Sequence, residues 1–234
     1  MKPVTEKHGR DPTDRDRLIL EHVARYRLTT IKAIQRVVLP GMSRNAIDKI
    51  TNRLCDAGLL RKHILLYPMK YFVLGEVSVR NMGLGAHRAT PLGSQSLPQE
   101  FALLAFATLG PQQHLRLNAA EVKKRCPWVP LSLTVAPHCI DQANVLELVR
   151  VDLGGSADHV ARKCAADLTE RSRIREFLSV VAAGQFRLVV ITSTQGKVEA
   201  IQRALNHHLW PSGLLIHFAV VPQLLSLGAK AKNA

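Results

Sequence analysis

Three short helical patterns with clear start and stop signals dominate the first 57 residues, and they constrain the fold more than any other feature. In each pattern, apolar residues recur with the 3.6-residue period of a helix that buries one face. Each pattern begins next to a residue that can cap a helix. The candidate caps, in chain order, are Thr13 or Asp14, Thr29 or Thr30, and Ser43. The stop signals are Pro40-Gly41 after the second pattern and Gly58 after the third.

Two strand-like runs follow the third helical pattern. Residues 59–67 and 71–74 are rich in strand-favouring side chains, and they flank Pro68-Met69-Lys70, which is typical of a turn. This pairing predicts a β-hairpin. Three helices followed by a hairpin predict a winged helix-turn-helix over residues 1–80.

The third helix has a polar face that is suited to reading DNA. If Ile47, Ile50 and Leu54 face the core, helical geometry directs Asn45 and Lys49 outward. Asn, Lys and Arg side chains can bind base edges or phosphates. The predicted DNA-binding residues of the helix and hairpin are Ser43, Arg44, Asn45, Lys49, Asn52, Arg53, Arg61, Lys62 and Lys70. The alternative is a solvated face on a protein-docking module.

The charge of the chain favours an acidic partner. Thirty-two Lys and Arg against eighteen Asp and Glu give a formal net charge of +14. Residues 1–80 contain sixteen of these basic residues and eight of the acidic ones, a net charge of +8. Double-stranded DNA is therefore the first partner to expect. We expect no membrane partner, because the sequence has no apolar run long enough to span a bilayer, and we expect a cytoplasmic protein.

The second half of the sequence predicts an α/β domain. Residues 81–98 are rich in Gly, Ser and Pro without a sustained period, and we expect a linker there. In residues 99–234, strand-like runs at 145–153, 186–192 and 214–221 alternate with helical patterns at 157–183 and 196–208. This order predicts parallel strands joined by helical crossovers. The whole chain is thus predicted to be α+β or α/β, with a winged helix followed by a small α/β domain.

Several runs give the sequence a resemblance to a known family. They are DRLIL at 16–20, ARYRL at 24–28, LPGMS at 39–43, AGLL at 57–60, PHCID at 137–141, VD at 151–152 and RK at 162–163. In these runs the chain resembles the replication-relaxation proteins of plasmids and other mobile genetic elements. The resemblance implies a second domain of the restriction-endonuclease-like fold, in which acidic residues and a Lys surround a metal ion. The matching candidates here are Asp141, Asp152 and Lys163.

One departure from the family pattern affects this predicted metal site. The pattern has a Glu two positions before the second acid, where this chain has Arg150. Mg²⁺ prefers carboxylate oxygens, and a guanidinium group at that position would repel it. Glu147 lies three positions before Arg150, so a regular strand would direct it to the opposite face. We therefore expect a degenerate domain that does not cleave DNA, with no confident catalytic or metal-binding residue and no cofactor.

Three functions remain open at this point. The first is a DNA-binding accessory protein of a mobile genetic element, acting in replication, relaxation, mobilisation or transcriptional control, as the resemblance implies. The second is a Mg²⁺-dependent DNA nickase or nuclease that uses Asp141, Asp152 and Lys163. The third is a docking subunit of a nucleoprotein complex, with apolar surface on residues 98–109 or 214–227. The protein could also pair with itself as a dimer.

Overall fold

A computed structural model describes residues 12–232 of the chain, with side-chain surroundings through residue 228. The chain divides into two compact units, Met1–Pro91 and Leu92–Ala234. Both units mix helices and strands, so the chain belongs to the mixed α/β class. The two are called the N-terminal and the C-terminal unit below.

The N-terminal unit begins with three helices whose caps match the predicted ones. Helix α1 is Asp14–Tyr26 and α3 is Arg44–Asp56. Between them, α2 (Ile31–Ala33) continues as a π-helical turn over Ile34–Val38. The side chains that cap α1, α2 and α3 by accepting a backbone N–H are those of Thr13, Thr30 and Ser43. The alternatives Asp14 and Thr29 do not cap these helices. Asp14 lies inside α1, and Thr29 forms a β-bridge.

A two-stranded antiparallel sheet follows α3. Strand β1 is Leu60–Leu66 and β2 is Met69–Leu74. The turn is shorter than predicted, because Met69 pairs with Leu66 and Lys70 pairs with Ile64. Thr29, ahead of α2, forms an isolated antiparallel bridge with Phe72. Each of the two residues donates its backbone N–H to the other's carbonyl oxygen at 2.9 Å.

The core of this unit contains the apolar residues that the helical periods place on the inner faces. Its fully buried members include Ile19, Val23, Ile34, Ile47 and Leu54. Two glycines bring the end of α3 against the end of β2. A Cβ atom on Gly75 would lie 2.0 Å from the carbonyl oxygen of Gly58, so only glycine fits at position 75.

Residues 81–98 are more ordered than their composition predicts. Helix α4 (Glu76–Asn81) ends at the first residue of this segment, and a 3₁₀ turn over Ala86–Ala89 buries Ala89. The division between the two units lies after Pro91. The next helix, α5 (Ser96–Leu109), begins inside the segment that we expected to be a linker.

The C-terminal unit is built on one mixed sheet of five strands in the order β3-β4-β5-β6-β7. The strands are β3 (Leu115–Leu117), β4 (His138–Ile140), β5 (Leu146–Val151), β6 (Phe186–Thr192) and β7 (Leu215–Val220). The helices after α5 are α6 (Ala119–Arg125), α7 (Leu131–Thr134), α8 (Ala157–Ser172), α9 (Arg175–Ala182), α10 (Gln195–Leu205) and α11 (Gln223–Lys232). The expected parallel crossovers are confirmed, because β5, β6 and β7 are parallel. Strands β3 and β4 run antiparallel and were not predicted.

Different helices cover the two faces of this sheet: α8, α9 and α10 pack on one face and α5 on the other. Leu148, Leu188 and Val190 pack in one cluster with apolar residues of α8, α9 and α10. Side chains alternate along a strand, so Glu147 lies on the other face. That face meets α5 through His114, whose ring stacks on Phe106 with centroids 4.1 Å apart.

Candidate nucleic-acid interface

The outward face of α3 carries exposed polar side chains without internal partners. Asn45 and Lys49 are exposed, and the side chain of neither forms a hydrogen bond or ion pair with any residue that the structure describes. Arg44 is exposed as well and lies 3.8 Å from Asp48, a contact of little energetic weight at an exposed site. Ser43 caps the helix by accepting the N–H of Ala46. The first turns of α3 therefore present an amide and two cations to solvent.

Arg53, a predicted DNA-binding residue, forms an ion pair within the N-terminal unit. Its guanidinium donates to the carboxylate of Asp16 at 2.6 Å. Asp16 is fully buried and also accepts the backbone N–H of Thr13 in the α1 capping box. Burial would raise the pKa of Asp16, but the hydrogen bonds from Arg53 and Thr13 outweigh burial and lower it.

Two of the three predicted DNA-binding cations on the hairpin have internal partners. Arg61 pairs with Glu76 at 2.7 Å and donates to the carbonyl oxygen of Ala89 at 3.3 Å. Lys62 donates to the side-chain oxygen of Asn52 at 3.0 Å, which ties β1 to α3. The side chain of Lys70 is exposed and has no hydrogen bond or ion pair within residues 12–232. Of these cations, Lys70 is the one fully available to a ligand.

The sequence reasoning missed two exposed cations on the turn before α3. Lys32 lies on α2 and Arg36 lies on the π-helical turn, and both are exposed. The signal was present in the sequence. Residues 22–47 contain five Lys and Arg and no Asp or Glu, so every formally charged side chain in this stretch is basic.

The structure does not bring the candidate metal ligands together. Asp141 follows β4 at the turn into β5, where its carboxylate accepts the N–H of Val145 at 2.9 Å and pairs with Arg187 at 3.0 Å. Asp152 follows the opposite end of β5. Seven residue steps of extended chain lead from Val145 to Asp152, which is about 23 Å. One metal ion cannot bind both carboxylates at that separation.

The oxygens of Asp152 are already occupied by neighbouring donors. Its carboxylate accepts the N–H groups of Gly154 and Gly155 at 2.9 and 3.2 Å and the hydroxyl of Thr192 at 3.1 Å. The ammonium group beside it is that of Lys197, 3.8 Å away, which also donates to the Gly155 carbonyl. Lys163 is an exposed residue of α8. Thr192 ends β6, the strand parallel to β5, and Lys197 lies on the helix that follows it. The predicted order of these parallel elements is the sequence signal that could have placed both residues near Asp152.

Arg150 has an acidic partner of its own. Its guanidinium is bonded to the carboxylate of Asp167 on α8. Glu147 lies on the opposite face, as the strand period predicts, and contacts His114 at 2.8 Å and Arg187 at 3.5 Å. Arg187 bridges Glu147 and Asp141 in a largely buried network on that face, and the partly buried Arg150–Asp167 pair is separate from it.

A buried histidine, His138, is the first residue of β4. The side chain of His138 is bonded to the Ala136 carbonyl, and burial together with the nearby charge of Arg171 lowers its pKa to about 4. Burial also raises the pKa of the Cys139 and Cys164 thiols to about 12, so neither is a thiolate at neutral pH. Among residues 12–232, no group of three or more His, Cys, Asp or Glu is arranged to hold a metal ion.

The two apolar segments considered for docking differ. Most of α5 is buried, including Phe101, Leu103 and Leu104, so residues 98–109 belong to the core and the docking expectation there is wrong. The segment at 214–227 exposes Leu215 and Leu225 but buries Leu224. Within the part of the chain that the structure describes, no helix combines the length and apolar character needed to cross a membrane.

Comparisons with known proteins add no family to this description. No protein-family model matches the sequence. No curated protein is significantly similar to the chain, and no solved structure matches its fold significantly.

Proposed function

We propose that the chain binds double-stranded DNA through its N-terminal unit, with α3 in the major groove and the β1–β2 hairpin beside it. The observation that carries the proposal is the outward face of α3, where Asn45 and Lys49 are exposed and unpaired within the described residues. An Asn amide can form two hydrogen bonds with an adenine edge, and a Lys can reach guanine acceptors or phosphates. A recognition helix uses residues of its N-terminal turns for this contact.

The arrangement of the elements supports a winged helix-turn-helix. Three helices precede an antiparallel hairpin, and the segment between α1 and α2 pairs with the hairpin through the bridge of Thr29 to Phe72. The hydrogen bond between Lys62 and Asn52 fixes the hairpin against α3. A helix and a hairpin held in one rigid unit can engage two adjacent grooves together.

The charge distribution supports DNA as the binding partner in preference to an acidic protein. The stretch from residue 22 to residue 47 lacks acidic residues, and so does the stretch from residue 57 to residue 75. Together they place Lys32, Arg36, Arg44 and Lys70 on the surface of one unit. Cations of this kind release counterions when they neutralise phosphates, which gives affinity that depends strongly on salt.

The biological setting that we propose is that of an accessory protein of a mobile genetic element, in replication, relaxation, mobilisation or transcriptional control. The resemblance in the DRLIL, ARYRL and PHCID runs supports this setting. The mixed sheet of the C-terminal unit is compatible with the endonuclease-like domain that the resemblance implies. We give that domain a role in DNA or protein contact. The nuclease alternative has no assembled site, since Asp141 and Asp152 lie at opposite ends of β5.

The test uses the full chain and a paired substitution on α3. DNA ligands are selected from a randomised duplex pool, and affinity is then measured for the selected duplex and for a random duplex. We expect Asn45→Ala with Lys49→Ala to reduce discrimination between them by about a hundredfold, because the lost base contacts are worth roughly 1–3 kcal/mol each. The matched control replaces an exposed Lys and Asn of the C-terminal unit, Lys163→Ala with Asn206→Ala, and should bind as the unsubstituted chain does.

Two outcomes would contradict this function. Unchanged discrimination in the α3 variant, with the fold intact by circular dichroism, would remove α3 as the reading element. Equal affinity of the unsubstituted chain for selected and random duplexes would remove sequence-directed binding altogether. A parallel incubation with supercoiled plasmid and Mg²⁺ or Mn²⁺ tests the nuclease alternative, which nicking lost in Asp152→Ala would revive.

A further inference from the structure

The tip of the β1–β2 hairpin exposes an unusual group of large apolar side chains. Tyr67 is 89% exposed, Ile64 is 63% exposed and Met69 is 38% exposed. Single exposed apolar residues are ordinary, but three of them within six positions form a local patch. None of them takes part in the core of the N-terminal unit. The fold therefore does not account for their apolar character.

The charges around this tip define the kind of surface that it fits. Lys70 pairs with Ile64 across the hairpin, and Lys62 lies two residues before Ile64 on the same face of β1. No acidic residue occurs between positions 57 and 75. An apolar tip that is flanked only by cations is complementary to a polyanion with an apolar interior, and the stacked bases of a DNA duplex between two phosphate backbones have this composition.

The length of the hairpin agrees with the spacing of the DNA grooves. Lys62 anchors β1 to Asn52 of α3, and Tyr67 lies five residues further along. At about 3.4 Å per residue, the tip reaches roughly 17 Å beyond that anchor. Half of a helical turn of about 34 Å is also about 17 Å, which is the step from one groove to the next. With α3 in the major groove, the tip arrives at the adjacent minor groove.

We infer that the Tyr67 tip, with Ile64 and Met69 behind it, is a minor-groove wedge that enters the duplex beside the site read by α3 and bends it. This inference rests on the proposed function and deepens it, because it assigns the hairpin a mechanical action on DNA. Apolar side chains that enter the minor groove unstack base steps and bend DNA by roughly 20–90° toward the major groove. Lys70, which is exposed beside the tip, neutralises a phosphate next to the entry point.

The experiment measures bending and affinity separately. A duplex selected from a randomised pool by the full chain carries a donor and an acceptor dye at its two ends, and energy transfer reports the bend. We expect the unsubstituted chain to raise energy transfer, Tyr67→Ala to abolish most of the rise and weaken affinity about tenfold, and Tyr67→Phe to retain both. The control Leu209→Ala removes a fully exposed apolar side chain of the C-terminal unit and should change neither value.

The outcomes distinguish the wedge from the proposed function. If the chain binds the selected duplex without raising energy transfer, or if Tyr67→Ala bends it equally, the wedge is wrong and DNA binding by α3 stands. If the unsubstituted chain binds no duplex, the proposed function and the wedge both fail. Tyr67 is almost fully exposed, so its replacement leaves the core unchanged, and thermal unfolding of each variant checks this.

Discussion

The proposed interface of the N-terminal unit and the sheet of the C-terminal unit use their charged side chains in opposite ways. In the N-terminal unit, Lys49 and Lys70 project into solvent with no internal partner among the described residues. In the C-terminal unit, Arg150 and Arg187 are paired with carboxylates and largely shielded from water. The net charge of the chain is therefore a poor guide to its interface. Only cations that the fold leaves unpaired can bind a polyanion without first breaking an internal contact.

The largest expected effect comes from breaking the buried network of the C-terminal unit. Arg187→Met keeps the volume of the side chain but leaves Asp141 and Glu147 without their shared cation. Removing one partner of a buried ion pair costs roughly 3–5 kcal/mol of unfolding free energy. Urea denaturation of the full chain checks this, with Lys49→Met in the N-terminal unit as the control. A loss below about 1 kcal/mol would show that the network is not structural.

An intermediate effect is expected from pH, and here the two units behave alike. Burial lowers the pKa of His22 to about 4 in the N-terminal unit, with help from the charge of Arg25, and the pKa of His138 reaches the same value in the C-terminal unit. Each folded-state pKa lies below the unfolded value of 6.5, so unfolding takes up protons. The stability is therefore complete above pH 6.5 and falls as the pH drops toward 4, by about 3 kcal/mol for each histidine.

A substitution at His22 sharpens the pH prediction. The Nε2 atom of His22 is buried without a hydrogen-bond partner among the described residues, so His22→Leu removes a titrating group and no hydrogen bond at that atom. We expect the variant to lose about half of the pH dependence between pH 6.5 and 4. Thermal unfolding across this range measures the change. An unaltered pH dependence would mean that His22 is not the buried neutral group described here.

The smallest effect compares two exposed lysines, one from each unit. Lys70→Gln should lower the slope of log affinity against log salt by about 0.9, the value for one lost phosphate contact. Lys163→Gln, on α8, should leave that slope unchanged, because Lys163 lies outside the proposed interface. Both variants should unfold within about 0.5 kcal/mol of the unsubstituted chain. Equal slopes for the two variants would remove Lys70 from the interface.

Elements with a strong local signal could be predicted from the sequence. Strand β6 has the predicted bounds, because a continuous apolar run is typical of a strand that is buried on both faces. Helix α3 begins after Ser43 as its capping pattern requires. Strands β3 and β4 are three residues each and escaped prediction, since so short a run has no readable period.

Residues of the candidate sites were harder to predict, because their roles depend on contacts between distant segments. Asp141 and Asp152 lie eleven positions apart, and only the antiparallel turn between β4 and β5 shows that they occupy opposite ends of a strand. Arg53 and Arg61 have the same chemistry as free cations. Their ion pairs with Asp16 and Glu76 join residues that are 37 and 15 positions apart in the sequence, so only the folded structure shows them.

The measurement that tests the difference between the units most directly is duplex binding by the full chain across salt concentrations. Fluorescence anisotropy would compare the unsubstituted chain with Lys49→Gln plus Lys70→Gln and with a matched C-terminal pair, Arg162→Gln plus Lys163→Gln. We predict that the N-terminal pair lowers the salt slope by at least about 0.9, the value for the phosphate contact of Lys70, and that the C-terminal pair leaves it unchanged. The opposite result, with the slope reduced by the C-terminal pair alone, would contradict the assignment of DNA binding to the N-terminal unit.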